Sequence, residues 1–266
     1  MEKEASAKMS RRDFLKASVK VAAGAVLTAS GVGCSPLAKM LETKKQKGES
    51  IFPESGEPEK KPQENLPANF EIVRPISKDF PLPEGYIPEK LITLNSFPNI
   101  KLSPGKEKIQ GQTEAVKSLD ELFKAAGQAK IDDIYIGSAY RSWETQRYLY
   151  EQAEAKQSGQ KWSAAPGTSE HNAGLAFDFT TESISHRIHS EAGFEDTPAS
   201  RWLRENAHQY GFILTYCRPD IGGINQEPWH YRYVGKELST ELFNQGYLEA
   251  DSNIDPINFL ASHRDW

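Results

Sequence analysis

Residues 166–178 read PGTSEHNAGLAFD and residues 227–232 read EPWHYR, and these two stretches contain the two strands from which the fold can be predicted. The first passes from a polar, glycine-containing loop into residues 175–181, where side chains alternate as they do in a strand, and the second runs into another strand. Successive side chains of a strand point to opposite faces. Two such strands lying side by side would therefore bring Asp178 and His230 together on one face of a sheet.

Three side chains in these stretches form a candidate zinc site. Catalytic zinc takes three protein ligands from His, Asp, Glu or Cys and keeps one position for water. His171 lies at the end of the loop, which can fold over Asp178 and His230 to complete a nitrogen and oxygen set suited to zinc. An isolated histidine is more often structural than a ligand. Asp178, however, stands between two phenylalanines, where a buried carboxylate needs a partner such as a cation.

Glu227 is a candidate general base. It precedes His230 by three residues, so in a straight strand their side chains would point to opposite faces. Pro228 restricts the residue before it and can mark a bend, which would let Glu227 reach a zinc-activated water. The alternative is a solvent-exposed loop charge. The sequence contains no H-E-x-x-H, which excludes the metalloproteases that carry this motif on a helix.

The rest of the pattern predicts a mixed α+β domain. Apolar residues at helical spacing, together with capping residues, predict one helix over 113–128, a second that begins at Ser142 and a third over 197–211. Strands are predicted over 131–140 and 212–217. Helices and strands in this mixed order, with hairpin-like connections late in the chain, are typical of α+β proteins.

The first 33 residues predict an export signal. Residues 10–16 read SRRDFLK and precede an apolar core, residues 21–33, that is shorter than the roughly 20 residues needed to span a membrane. The order of these residues resembles the twin-arginine type of signal. A short buried helix is the alternative, which the glycines of this stretch disfavour. Cys34 follows small residues, as at a bacterial lipoprotein cleavage site, although Gly31 stands where such sites usually carry Leu.

Residues 34–78 are rich in Lys, Glu and Pro and hold few apolar side chains, so their burial cannot offset the entropy of ordering. We expect a flexible tether between a lipid anchor at Cys34 and a folded domain over residues 79–266, with a removed propeptide as the alternative. If Cys34 carries lipid, Cys217 alone remains and no internal disulfide can form. Outside the leader the formal charge is −8, against −5 for the whole chain, and without a basic stripe this argues against nucleic acid as a partner.

Three segments of the chain together resemble the VanY-like D-alanyl-D-alanine carboxypeptidases. The family patterns S-x-Y-R-S-x-x-x-Q, S-x-H-x-x-G-x-A-x-D and E-x-W-H-x-R are matched without a gap at residues 138–146, 169–178 and 227–232. Any one segment is a weak signal, but three in this order are a strong one. The resemblance covers roughly residues 81–235 and leaves aside the leader, the tether and the C-terminal end.

This resemblance implies a fold and a metal site. The fold is a small α+β domain with a central antiparallel sheet flanked by helices, shared with lysostaphin-type enzymes and the hedgehog signalling domain. The site is one zinc ion bound by His171, Asp178 and His230, with Glu227 as base. The resemblance also implies that Arg141 binds substrate and stabilises charge on the scissile carbonyl, a role suited to a planar, always charged guanidinium.

Further residues take supporting roles on the same resemblance. Tyr140, Gln146 and Ser169 would line the substrate pocket. Arg232 shares a strand face with His230, and its neighbours in the motif suggest a structural partner for the carboxylates of the site. The alternative for Arg141 is a salt-bridged surface residue.

The function implied is that of a zinc-dependent D,D-carboxypeptidase, which removes the terminal D-Ala from peptidoglycan stem peptides. We expect an exported monomer, anchored on the outer face of the cytoplasmic membrane or periplasmic. An L,D-carboxypeptidase acting on tetrapeptide stems is the nearest rival, because family members of both kinds share the metal motif. A non-catalytic zinc-binding wall module and a purely structural lipoprotein domain would fit the same chain. A free dipeptidase is disfavoured, because the tether and anchor would place the enzyme beside polymer.

Overall fold

The structure, a computed structural model, describes residues 70–155, 163–182, 184 and 193–263. Within these residues the helices are α1 (Phe70–Val73), α2 (Thr113–Gln128), α3 (Trp143–Ala155), α4 (Pro198–Asn206), α5 (Lys236–Asn244) and α6 (Pro256–Ser262). The strands are β1 (Leu91–Thr93), β2 (Gln110–Gln112), β3 (Tyr135–Ser138), β4 (Ala176–Thr180), β5 (Phe212–Leu214) and β6 (His230–Tyr233). Short 3-10 helices cover Leu94–Ser96, Glu170–Ala173 and Ala207–Tyr210.

Four strands form the central sheet in the order β3-β4-β6-β5, and every neighbouring pair is antiparallel. β1 and β2 form a separate antiparallel pair. In the central sheet Asp178 of β4 lies directly opposite His230 of β6, and Ala176 lies opposite Arg232. The predicted α+β class and the predicted pairing of these two strands are therefore confirmed.

Capping side chains fix the start of two helices near the sheet. The Ser142 hydroxyl accepts the backbone N–H of Thr145 at 3.2 Å, so α3 begins shortly after Arg141. Thr197 accepts the backbone N–H of Ser200 at 3.0 Å, and a proline occupies the first turn of α4. Both caps satisfy backbone donors that have no partner inside the helix. The first cap makes Arg141 the corner between β3 and α3.

The two faces of β4 and β6 have different chemistry. Phe177 and Phe179 alternate with the polar residues of β4 and pack on the helix α2 side, where the Phe179 ring lies 6.1 Å from Phe123 and 5.4 Å from Tyr231. The opposite face of the same strands carries polar side chains: Asp178, His230 and Arg232. All three of these are 2% exposed or less. The strand alternation thus places an apolar core on one side of the sheet and a buried polar cluster on the other.

The folded body begins earlier than the predicted boundary at residue 79. Ile76 is 1% exposed and belongs to the main apolar core, and Ile72 packs against that core. Ser77 and Phe80 form an isolated antiparallel bridge. The boundary was predicted from the charged and proline-rich composition of residues 34–78. An average over the segment does not show that single apolar residues such as these two isoleucines join the core.

Candidate active site

The sheet register brings three side chains to one point. Asp178 and His230 are cross-strand neighbours, and the 3-10 helix before β4 carries His171 over them. His171 Nε2 lies 3.2 Å from Asp178 Oδ1, and His230 Nδ1 lies 3.2 Å from the same oxygen. One ligand atom from each residue lies within 4.8 Å of the others. In the described part of the chain, this trio is a group able to hold a metal ion.

Neighbouring acceptors orient both imidazole rings toward that point. His171 Nδ1 lies 2.7 Å from the backbone carbonyl of Ala139, which can only accept, so Nδ1 carries the proton and Nε2 is left with its lone pair. His230 Nε2 lies 2.8 Å from the carboxylate of Glu170, which leaves Nδ1 as the ligating atom of the neutral ring. Two nitrogens and one carboxylate oxygen match a catalytic zinc site with an open position.

The charges of the cluster fit a cation. Burial and the nearby Arg141 charge lower the pKa of His171 to about 4, so this ring is neutral and ready to ligate. Burial opposes ionisation of Asp178, but contacts with His171, His230 and Arg141 hold its pKa well below the usual value. Burial also opposes protonation of His230, yet hydrogen bonds with Asp178 and Glu170 raise its pKa to about 10. A cation held by Asp178, His171 and the Nδ1 atom of His230 would take the place of the His230 proton.

Glu227 reaches the cluster through the predicted bend. The backbone N–H of His230 donates to the Glu227 carbonyl at 3.0 Å, which closes a turn around Pro228 at the entrance to β6. Glu227 Oε2 lies 3.6 Å from His230 Nδ1, and the side chain is 13% exposed. Burial raises the pKa of Glu227 to about 7, with Asp178 adding to the shift and His230 opposing it. A carboxylate beside a metal site with this pKa is suited to proton transfer near neutral pH.

Arg141 extends from the β3–α3 corner to the other side of Asp178. Its Nη2 donates to Asp178 Oδ2 at 2.7 Å, and its Nε donates to the Ser138 hydroxyl at 3.1 Å. Its Nη1 is 3.5 Å from Gln146 Oε1, at the far limit of a hydrogen bond, and can therefore turn to a ligand oxygen. The guanidinium holds Asp178 in place while its side chain stays 14% exposed at the cleft.

These side chains line one cleft. The predicted residues Arg141, Gln146, Ser169 and Glu227 line it together with the three candidate ligands. Further lining residues come from loops and from the segment after β5: Ser163, Ala164, Tyr216 and Ile224. The cleft therefore combines a metal-binding trio, a carboxylate, a cation and a partly apolar wall.

Comparison with known proteins identifies the family. Residues 108–236 match the family described as VanY, D-alanyl-D-alanine carboxypeptidase. A solved structure of a mutant of the vancomycin-resistance D,D-pentapeptidase VanY from the VanB-type cassette, in complex with Zn(II), is 31% identical and has a TM-score of 0.51. That match covers 71% of this chain and 99% of the other. The chain belongs to the VanY-like D-alanyl-D-alanine carboxypeptidase family.

Two further similar proteins are named for different carboxypeptidase activities. The D-alanyl-D-alanine carboxypeptidase of Enterococcus faecalis (strain ATCC 700802 / V583) is 38% identical over 144 residues, which cover 48% of this chain and 50% of that protein. The chain thus spans about half the length of that curated relative. The structure of the LdcB LD-carboxypeptidase is 27% identical with a TM-score of 0.60, and the match covers 76% of this chain and 92% of the other.

Two residues of this VanY-like site were missed by the sequence analysis. Glu170 is fully buried, and its two oxygens contact His230 and Arg232. Its position next to His171 in the motif was the available signal. Tyr216 is 4% exposed, and its ring lies 4.7 Å from that of His230. It stood in an apolar run, which gave no sign that its side chain lines the cleft.

The predictions for Arg232, Tyr140 and the N-terminal segments can each be compared with the described residues. Arg232 does pair with a carboxylate of the site, as expected, at 3.1 Å from Glu170. Tyr140 is absent from the described residues that line the cleft, so its binding role stays a prediction. The leader over residues 1–33, lipidation of Cys34 and the tether up to residue 69 lie outside the described residues. Among the residues that are described, no helix is long and apolar enough to cross a membrane.

Proposed function

We propose that this chain is a zinc-dependent D,D-carboxypeptidase that removes the terminal D-Ala from peptidoglycan stem peptides. The observation that carries the proposal is the convergence of His171, Asp178 and His230 within 4.8 Å, with Glu227 beside them in one cleft. The family of the chain, and the Zn(II) complex of a VanY relative, support the choice of metal and reaction.

The three ligands would hold zinc through His171 Nε2, His230 Nδ1 and a carboxylate oxygen of Asp178. When bound there, zinc supplies Lewis-acid activation of a water molecule and of the scissile carbonyl. Burial of all three side chains keeps competing solvent away, and Ala139 and Glu170 fix the two rings in the required tautomers.

Glu227 is placed to move the proton of the reaction. It takes one proton from the attacking water while the water oxygen bonds to the scissile carbonyl carbon. The carbon–nitrogen bond then breaks, and Glu227 returns the proton to the amine of the leaving D-Ala. Its raised pKa of about 7 suits both transfers, since such a carboxyl is a competent base and then a competent acid near neutral pH.

Arg141 supplies the positive charge for the substrate. Its Nη2 is engaged with Asp178, whereas Nη1 borders the cleft with only the long contact to Gln146. A scissile carbonyl oxygen gains negative charge as water adds to the carbon, and a fixed cation at the cleft wall stabilises that charge. Gln146 in turn donates to the Ala164 carbonyl at 2.7 Å, which fixes the orientation of its amide.

The D,D specificity is the finer part of the proposal. The D-alanyl-D-alanine carboxypeptidase relative and the VanY structure favour a pentapeptide stem ending in D-Ala-D-Ala. The L,D-carboxypeptidase activity on tetrapeptide stems is the second candidate, which the likeness to LdcB favours. A non-catalytic zinc module is disfavoured, because both Glu227 and Arg141 line the cleft beside the metal cluster.

We propose further that the protein is exported and held by lipid on Cys34 at the outer face of the cytoplasmic membrane. The twin-arginine-like residues Arg11 and Arg12 and the small residues before Cys34 support this location. Replacing both arginines by Lys should retain the precursor in the cytoplasm, and Cys34→Ala should release the mature protein from membranes. A Cys34→Ala protein that stays on the membrane would point to an uncleaved leader.

Mass spectrometry of synthetic stem peptides tests the activity. The zinc-loaded protein should shorten a pentapeptide ending in D-Ala-D-Ala by one alanine and leave a tetrapeptide intact. Glu227→Gln should stop the cleavage, whereas Glu205→Gln, at an exposed position on α4, should not. Cleavage of the tetrapeptide alone would establish the L,D activity instead, and cleavage of neither peptide would contradict the proposed function.

A further inference from the structure

Arg232 connects the metal cluster to the start of the folded body. Its side chain is 0% exposed. Nη1 donates to Glu170 Oε1 at 3.1 Å, and Nη2 donates to the backbone carbonyls of Arg74 at 2.6 Å and Ile72 at 3.1 Å. A buried guanidinium therefore has one carboxylate partner at the site and two backbone partners in the segment that precedes the main domain.

Glu170 continues this connection to a metal ligand. Its second oxygen lies 2.8 Å from His230 Nε2, and His230 Nδ1 faces the metal cluster. The contacts run without a gap from the backbone of residues 72–74 through Arg232 and Glu170 to His230. All three side chains are buried, so water does not substitute readily for a missing partner.

Residues 72–77, which we call the N-terminal clamp, are fixed independently of the site. Ile76 is 1% exposed in the main core, and the Arg74 side chain donates to the Pro81 carbonyl at 2.8 Å. The clamp lies outside residues 108–236, the part of the chain that matches the family. It also lies inside the stretch whose composition predicts a tether. The support of His230 thus depends on residues that neither the family match nor the sequence pattern includes.

Loss of the clamp would disturb the metal site for a simple reason. Without the two carbonyls, Nη2 of a buried Arg232 would have no hydrogen-bond partner there, which is costly for a charged group. Arg232 or Glu170 would then move to regain partners, and the His230 ring would lose its fixed orientation. Outer partners that orient a histidine ligand typically change metal affinity by about 10- to 100-fold when removed.

We propose that the N-terminal clamp, acting through Arg232 and Glu170, sets the zinc affinity of the site, with Arg232 and Glu170 as positioning residues. The inference rests on zinc binding as part of the proposed function. It implies that a protein trimmed to residues 79–266 keeps all three ligands and the proposed base yet binds zinc more weakly.

Loosening the clamp in the full chain tests this. Ile76→Ala removes the core anchor of the clamp, and Ile76 is not among the described residues that line the cleft. Leu242→Ala is the matched control, because Leu242 of α5 is 0% exposed in the same core and remote in sequence from the clamp. Zinc affinity is measured by competition with a chromogenic chelator, and the melting temperature of each metal-free protein is measured alongside. Ile76→Val serves if Ile76→Ala does not fold.

The expected result separates affinity from stability. Both alanine variants should lower the melting temperature of the metal-free protein, but only Ile76→Ala should weaken zinc binding, by about tenfold. Arg232→Lys, which reaches fewer acceptors than the guanidinium, should weaken zinc binding similarly. Adding Ile76→Ala to the Arg232→Lys variant should lower the zinc affinity little further, since both changes break the same chain of contacts.

Two outcomes overturn the inference, and they are distinguishable. Equal zinc affinities for Ile76→Ala and Leu242→Ala would overturn the inferred role of the clamp alone. The same conclusion would follow if the double variant of Ile76→Ala and Arg232→Lys lost zinc affinity by the product of the two single losses. An unaltered chain that binds no zinc would overturn the proposed function and the inference together.

Discussion

The two faces of strands β4 and β6 share one backbone but differ in the interactions that hold their side chains. On one face Phe177, Phe179 and Tyr231 are held by apolar contact, which depends on buried area and has little direction. On the other face Asp178 and His230 are held by specific hydrogen bonds and charges. A slip of one residue in register would exchange the two faces, so the pairing of Asp178 with His230 fixes core and site together.

The largest effect should come from removing the shared oxygen ligand. Asp178→Ala deletes the carboxylate that both histidines contact, and we expect zinc binding and peptide cleavage to be lost entirely. Phe179→Ala, one residue away on the apolar face, should destabilise the protein by about 3–5 kcal/mol but leave zinc in the folded fraction. Metal analysis after gel filtration and thermal unfolding distinguish the two variants. A zinc-loaded, active Asp178→Ala protein would contradict the assignment of metal binding to the polar face.

The next effect concerns Glu227, which borders the polar face without being a ligand. Glu227→Gln keeps the shape of the side chain but cannot accept the proton, so kcat/KM should fall by about 100-fold or more. Zinc content should be unchanged. Turnover near that of the unaltered protein would move the role of the base to another residue.

The two arginines of the site should respond in opposite ways. Arg141→Lys replaces a fork that spans Ser138, Asp178 and the cleft by a point charge, and should lower kcat/KM by about tenfold with little change in melting temperature. Arg232→Lys lies in a fully buried position and should lower the melting temperature more than the turnover of zinc-saturated enzyme. A fully active Arg141→Lys beside a folded but inactive Arg232→Lys would reverse this assignment.

The smallest effect is a proton released on zinc uptake. The pKa of His230 is raised to about 10, so the metal-free ring is protonated below that pH and must lose its proton to ligate. His171, with its pKa lowered to about 4, is already neutral and releases none. At about pH 8.5, where Glu227 is ionised, about one proton per zinc should come from His230 and about one more from a zinc-activated water, and the His230 share should fall as the pH rises through the His230 value. A pH indicator in weak buffer measures this, and no release would contradict the charge arrangement.

The alternation of the sequence was enough to predict that Asp178 and His230 lie on one face of the sheet. Asp178 and His230 were predicted on facing strands because a period of two assigns each side chain to one face, and the structure pairs them. The bend at Pro228 was predictable because proline restricts the residue before it. These are local rules, and they act over a few residues of chain.

The parts that were not predicted depend on contacts between distant segments. Glu170 and Arg232 are 62 residues apart, and Arg232 and the Ile72 carbonyl are 160 apart. Backbone carbonyls carry no sequence signal, so no pattern reveals that residues 72–74 support a metal ligand. The domain start predicted at residue 79 lies after Ile72 and Ile76, because the average composition of residues 34–78 does not distinguish the few apolar residues that join the core.

Zinc content measured together with peptide cleavage is the decisive test of a zinc-dependent mechanism. The purified protein should hold about one zinc per chain, on the three-ligand rule for catalytic sites, and should lose cleavage of the pentapeptide stem as a chelator removes the metal. Adding zinc back should restore cleavage in proportion to the zinc bound. A preparation that is metal-free after chelation and still cleaves the peptide at its original rate would contradict the account.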